Sequence, residues 1–276
     1  MHISVMMAII ATPASAASYC AASGWTQVFA DEFDAAELNG SVWAKDVGPP
    51  GDSRTRAAAA TADSVWLEDG ALVIQTNGTW DGAKWTNLSS GAVQSMGKRS
   101  WQGKTRVCVS AKLPGGPVGH GAGIWPAHWM MPDDESCWPC HGEIDIMEMI
   151  NGDGDLHGTY HFCLNSTCGE PQHKQHSGTT TMPSDWWQVW HEYSVEYDGV
   201  SDVIFAVDGV EYVRTTSAEA LLWPTPYYMI LNTAVGDGST WPRAPDADTI
   251  FPTRHYVDYV RVSQPALGVS TGGRLR

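Results

Sequence analysis

The sequence is short of positive charge: 16 Lys and Arg stand against 31 Asp and Glu, a formal net charge of −15. That balance argues against nucleic acid or an anionic membrane surface as a partner, since both would repel the chain. It also disfavours strongly anionic polysaccharides, unless a local basic groove overrides the global sign. Long apolar runs are missing too. No segment reaches the ~18 apolar residues that read as a membrane span, so a soluble chain is expected. There is no βαβ rhythm, no internal repeat and no low-complexity linker, which excludes parallel α/β folds and repeat arrays.

What is present is a chain of 276 residues with 43% apolar content, enough to bury a sizeable core. Fourteen tryptophans stand out, each offering a flat apolar face with a polar edge, the surface on which a sugar ring stacks. Residues 1–17 read as a secretory signal. Ile3 to Ala11 is a short apolar run and Ala14-Ser15-Ala16 a small-residue cleavage site, although the first residues carry His2 and no Lys or Arg. The expected organisation is therefore a leader over 1–17, a single domain over 18–264 and a short loose tail over 265–276, in a secreted, extracellular protein. Asn39, Asn77, Asn87 and Asn165 each open an N-glycosylation sequon.

Six cysteines, at 20, 108, 137, 140, 163 and 168, suit disulfides in an exported chain, with 15 possible connectivities. Cys163 and Cys168 flank a four-residue turn and are the expected local pair. Cys137-Trp138-Pro139-Cys140-His141 matches the haem c attachment pattern and half a zinc site. No second C-x-x-C, no His cluster and no helical cytochrome pattern accompanies it, so half-cystines are the simpler reading.

Short runs of alternating or continuous apolar residues point to strands throughout. Thr105 to Leu113 places Val107, Val109, Ala111 and Leu113 on one face. His191 to Tyr197 alternates as well, and Val203–Val207, Asp208-Gly209 and Val210–Arg214 read as a hairpin with a two-residue turn. Gly70 to Thr76, Tyr227 to Leu231 and Tyr256 to Val262 add further strands. Helical turns are expected only over Ser217 to Leu222 and Ala57 to Ala62. Many short strands with Gly and Pro punctuation indicate an all-β antiparallel sandwich.

The chemistry concentrates in Glu143-Ile144-Asp145-Ile146-Met147-Glu148-Met149. In a regular strand Glu143 and Asp145 share a face, but Glu148 falls on the face of the isoleucines. Burying a lone carboxylate there is costly. A one-residue bulge at Ile146-Met147 would return Glu148 to the other acids. A row of carboxylates suits retaining glycoside hydrolysis, which needs a nucleophile and an acid/base about 5–5.5 Å apart. Asp145 between them adds like charge, which raises a neighbour's pKa toward what a general acid needs. A solvated strand face carrying acids would show the same spacing, so the motif alone leaves both open.

The Glu-Ile-Asp-Ile-Met-Glu stretch resembles the active-site strand of glycoside hydrolase family 16, in the bulged form of laminarinase-like β-1,3-glucanases. Phe29-Ala30-Asp31-Glu32-Phe33, Gly123 to Pro132, His157 to Phe162, Leu231 to Gly236 and Val257 to Val262 resemble further family strands, in family order over about residues 27–262. The resemblance implies a β-jelly roll of the concanavalin A-like kind, with the substrate cleft on its concave face. It makes Glu143 the nucleophile, Glu148 the acid/base and Asp145 the residue that orients the nucleophile. Trp125, Trp129, Asn232 and Trp241 become cleft residues, and His161 hydrogen-bonds substrate or Glu148. No catalytic cofactor is implied. A structural calcium on the convex side would take Glu32, the carbonyl of Gly70 and Asp258 as ligands.

Three positions depart from the family pattern: His128 replaces a usual Phe, Ser64 a usual Asn, and Asp237 the second glycine after Ala-Val. The implied activity is a secreted, monomeric endo-β-1,3-glucanase, with mixed β-1,3/1,4-glucan as a further substrate. Rivals are a family-16 hydrolase of agar or carrageenan type and a non-catalytic β-1,3-glucan recognition protein. The latter usually lacks one or both glutamates. Plant-type transglycosylases lack the residue that Met147 supplies.

Overall fold

The computed structural model describes residues 18–52, 54–134, 137–164, 172–200, 202–215, 224–239 and 241–266. The expected leader, the sequon at Asn165, Cys168, the helical turn at Ser217 to Leu222 and the tail beyond 266 lie outside the described residues. The first half of the chain carries β1 (Trp25–Asp31), β2 (Ala44–Lys45), β3 (Ala59–Ala60), β4 (Val65–Glu68), β5 (Ala71–Trp80), β6 (Trp85–Ser90), β7 (Ala92–Gln94), β8 (Ser100–Trp101) and β9 (Thr105–Lys112). Then follow β10 (Ile124–Pro132), β11 (Glu143–Met149), β12 (Asp155–Cys163), β13 (His173–Thr181), β14 (His191–Tyr197), β15 (Val203–Val207), β16 (Val210–Thr215), β17 (Tyr227–Val235) and β18 (Thr253–Pro265). Ala57 to Ala62 is not a helical turn: it contains β3, and only Ala62–Ser64 coils, as one 3₁₀ turn. Pairing of β3 with β6 and of Gly48 with Ala60 outweighs the local helix preference of the alanines.

The strands form two sheets stacked as a jelly-roll sandwich. One runs β16-β15-β14-β9-β18-β5-β6-β3, with β1 on β18 and β4 on β5; the other runs β13-β12-β11-β10-β17-β7-β2, with β8 on β17. Alternation explains how the core fills. Val107, Val109, Ala111 and Leu113 from β9 and its end meet Ile144, Ile146, Met147 and Met149 of β11. All of these side chains are buried, each contributing about 1.5–3 kcal/mol when large and fully removed from water. The Asp208-Gly209 hairpin forms as its sequence demands, with φ of +50° and +74°.

Between described residues, two disulfides brace the sandwich. Cys20–Cys108 ties the N-terminal segment to β9, and Cys140–Cys163 ties the turn before β11 to the end of β12. The expected Cys163–Cys168 pair is thereby corrected. Antiparallel pairing sets Glu143 opposite His161, so the residues just beyond them, Cys140 and Cys163, come to a Cα separation of 4.5 Å. Sequence proximity could not show that. Cys137 is a half-cystine too, so neither sulfur of the C-x-x-C stretch is free for a haem thioether or a zinc thiolate.

His128, on β10, points into the sandwich and meets His255 of β18, Nε2 to Nε2, at 2.9 Å. Both rings are fully buried, and burial holds both well below the usual histidine range, His255 at about 3. A buried neutral histidine takes no proton until pH falls to its folded pKa, whereas the unfolded chain takes one near 6.5. The stability it contributes is thus complete above pH 6.5 and is lost as pH falls from there toward 3. Urea midpoints should fall across that window, and fall less steeply in His128→Phe; equal slopes would remove the pair as the cause.

Candidate active site

Gly142 leads into β11 with φ of +91°, and a Cβ there would lie 2.6 Å from Tyr227 Oη. From this turn β11 runs between β10 and β12, and its register slips once. Asp145 faces Thr159 and Glu148 faces His157, so Ile146 and Met147 together stand against Gly158. The same slip shows against β10, where Trp129 faces Asp145 and His128 faces Met147. This is the bulge that the acid spacing called for. Ile146 and Met147 both enter the core, and Glu143, Asp145 and Glu148 all face the cleft. Gly158 is needed opposite, because a Cβ there would lie 2.5 Å from Tyr212 Oη and 2.8 Å from Phe205 Cγ.

The cleft holds a pocket of about 290 Å³ on the outer face of the β11 sheet. Its floor is the acid row and its walls include Trp125, Trp129, Trp138, Arg56 and Asn232. The acids are not a solvated strand face: Asp145 is 2% exposed and Glu148 9%. Burial pushes Glu143 up to about 8, helped by the charge of Asp145. Burial also raises Asp145, and it raises Glu148 well above the carboxylate range, with both other acids adding to the effect. Glu143 and Asp145 hydrogen-bond each other, as two close carboxyls do when they share a proton.

Each glutamate receives one indole donor. Trp138 Nε1 donates to Glu143 Oε2, and His161 also favours its ionised form. Trp125 Nε1 donates to Glu148 Oε1 at 3.0 Å, but the two neighbouring carboxylates act against ionisation there. His161 favours ionisation of both glutamates, while one neighbouring acid opposes it at Glu143 and two oppose it at Glu148.

Trp125, Trp129 and Asn232 meet in the pocket, and Trp241 stands edge-on to Trp125, ring centroids 5.8 Å apart. The Asn232 amide is committed within the protein: Oδ1 accepts from Trp129 Nε1 at 2.7 Å, and Nδ2 donates to the Arg54 carbonyl at 2.6 Å. It sets the Trp129 ring. His161 does not lie against Glu148, as one expectation had it. Its register partner is Glu143 and its Nε2 is 3.1 Å from Asp145 Oδ2. The residue opposite Glu148 is His157, which packs edge-on against Trp241 and hydrogen-bonds Thr179.

Sequence reasoning missed Trp138 and Arg56. Trp138 stood in plain view five residues before Glu143, inside the C-x-x-C stretch. Arg56 had no signal, since only tertiary pairing carries its loop across the end of β17, with Ala57 N donating to Val235 O at 3.0 Å. Its guanidinium lies 5.5 Å from the Trp125 ring.

One atom each from Glu143, Asp145 and His161 lie within 4.8 Å of one another, a spacing that a divalent cation could bridge. The shared proton and the His161 contact already account for that cluster. In the expected calcium set, both Glu32 oxygens accept from Arg261, at 2.8 and 2.7 Å, while Asp258, which hydrogen-bonds Ser110, is raised by burial and by the neighbouring Glu32 charge.

The two indole donors have separable effects. Trp138→Phe removes a donor to the ionised form of Glu143, so the apparent pKa of Glu143 should rise; Trp125→Phe should do the same for Glu148. Carboxyl ¹³C chemical shifts followed through a pH titration would show either change. Unchanged titrations in both variants would remove the donors from the account.

The fold has counterparts among known proteins. The profile described as Glycosyl hydrolases family 16 matches residues 59–261. A β-glucanase of Rhodothermus marinus is 32% identical over 257 residues, which is 86% of this chain and 85% of that protein. The laminarinase catalytic domain of Thermotoga maritima superposes with a TM-score of 0.74 at 30% identity, covering 88% of this chain and 99% of that one. The endo-β-1,3-glucanase of Pyrococcus furiosus gives 0.74 at 29% identity, covering 88% and 95%. With more than half its length matched by the family profile, and its three acids displayed on a bulged strand of a jelly roll, the chain belongs to glycosyl hydrolase family 16.

Proposed function

We propose that this hydrolase is a secreted, retaining endo-β-1,3-glucanase acting on laminarin-type glucan, with mixed β-1,3/1,4-glucan as a second substrate. The observation that carries this reading is the unequal environment of the two glutamates on one buried cleft face. Glu143 attacks the anomeric carbon as a carboxylate while Glu148, whose carboxyl is raised by burial and by both other acids, gives its proton to the departing glycosidic oxygen. The bond to the leaving sugar breaks and a glycosyl ester on Glu143 forms. Glu148, now ionised, takes a proton from water; the oxygen attacks the same carbon and releases Glu143. Asp145 holds the nucleophile by the hydrogen bond they share. The Trp125, Trp129 and Trp241 rings provide apolar faces for pyranose stacking.

The names of the related β-1,3-glucanases support the choice of glucan. The presence of both glutamates favours hydrolysis over a purely binding role. Every group named comes from one chain, so a monomer suffices. The disulfides suit an oxidising, extracellular destination.

Reducing-sugar release should be measured on laminarin, mixed-linkage glucan, agarose and carrageenan. Glu143→Gln should lower kcat on laminarin by about 10³-fold or more, and ¹H NMR of the wild-type reaction should show the β-anomer forming first. Hydrolysis of another polymer would keep the mechanism and discard the substrate, and laminarin bound but never cut would favour a recognition protein.

The same variant makes a stability prediction. A carboxyl at about 8 in the folded state and near 4.5 unfolded binds more protons when folded. Its contribution is therefore present below pH 4.5 and is lost as pH rises through 8. Glu143→Gln should raise Tm at pH 8 relative to wild type and change it little at pH 4; a lower Tm at both would refute the buried-acid account.

A further inference from the structure

The two histidines at the rim of the cleft are in contact. His161 of β12 and His173 of β13 are joined Nδ1 to Nε2 at 2.8 Å. Strand pairing sets His161 opposite Gln175 and His173 opposite Cys163, so the two rings are diagonal neighbours on the cleft-facing side. Their centroids are 5.0 Å apart, and the Trp138 ring covers them at 6.2 Å from His161 and 5.0 Å from His173. Cys140–Cys163 ties together the turn that carries Trp138 and the strand end that carries His161. The far nitrogen of His161, Nε2, stands 3.1 Å from Asp145 Oδ2, an oxygen that is buried and has no well-aligned hydrogen bond.

We infer that His173 is a positioning residue for the hydrolytic reaction, holding the His161 ring with its Nε2 side against Asp145. This rests on the reading of the acid row given above. The argument is one of tautomers. A carboxylate 3.1 Å from Nε2 favours the proton of a neutral His161 on that nitrogen, which leaves Nδ1 as a bare acceptor. His173 Nε2–H fills it. The titratable groups that interact with His161 are Asp145, Glu143 and Glu148 from β11 and His173 from β13, while Trp138 is neutral. Three of these groups are acids, so a positive or donating ring held beside them favours ionised over protonated carboxyl, and Glu143 is the acid that must ionise to attack. His173 touches no reacting atom in this scheme and acts only through His161.

The test compares His173→Ala, His173→Gln and Gln175→Ala in the full chain. On laminarin, His173→Ala should lower kcat about tenfold, the size of one lost hydrogen bond to a group facing charge, with KM little changed. The acidic limb of its pH profile should move to higher pH, because the nucleophile then ionises less readily. His173→Gln keeps an amide donor at matching reach and should recover most of kcat. Gln175→Ala, on the same strand, should behave as wild type. A second readout needs no substrate: ¹⁵N shifts of His161 should show a protonated Nε2 in the wild type and a mixture of tautomers in His173→Ala.

Wild-type kcat and pH profile in His173→Ala would overturn the inference, as would a change confined to KM, which would make His173 a substrate contact. Equal loss in Ala and Gln with an unmoved pH profile would also overturn it. If wild type cuts no laminarin, the substrate reading fails and the tautomer measurement decides the inference alone.

Discussion

One extra residue in β11 decides which way Glu148 points. A regular strand would turn that carboxylate to the core face with Ile144 and Ile146, where burying a lone charge is costly. By setting Ile146 and Met147 together against Gly158, the strand puts two apolar side chains into the core in succession and returns Glu148 to the cleft. The bulge in turn depends on its surroundings. Gly158 gives Tyr212 and Phe205 room behind the sheet, and Gly142 lets the preceding turn pass under Tyr227. Core packing and active-site geometry are thus one constraint here.

The acid row is held against its own electrostatics. Three carboxyls at the floor of an apolar cleft raise one another's pKa, and burial adds to the effect. What distinguishes them is the set of donors: an indole on each glutamate and an imidazole beside Asp145. Each donor is itself anchored, Trp138 in a turn tied by Cys140–Cys163 and His161 by contact with His173. The row is a place where the fold gives up stability to hold groups in reactive protonation states, as active sites commonly do.

Behind the row the chain has its own solution to an unusual core residue. His128 occupies a position where an aromatic hydrocarbon would pack with no polar atom to satisfy. It reaches His255 across the sandwich and stacks on it, with ring centroids 5.0 Å apart. The pair is neutral at ordinary pH, so it brings no buried charge close behind the bulge, and it links β10 to the opposite sheet.

The sequence by itself determined the all-β class, the antiparallel sandwich, the 208–209 hairpin and the identity of the three acids, because these follow from local alternation, turn chemistry and a colinear set of motifs. It also pointed to the bulge, since Glu148 stood out of phase with Glu143 and Asp145, and the register of β11 bears this out. Only the tertiary structure decided which residues touch across strands. That His161 serves Asp145 rather than Glu148, that Cys140 rather than Cys168 binds Cys163, and that Arg56 reaches the cleft are matters of register and loop path. Register is set by the pairing of strands distant in sequence, a property of the whole sandwich that no stretch of neighbouring residues contains.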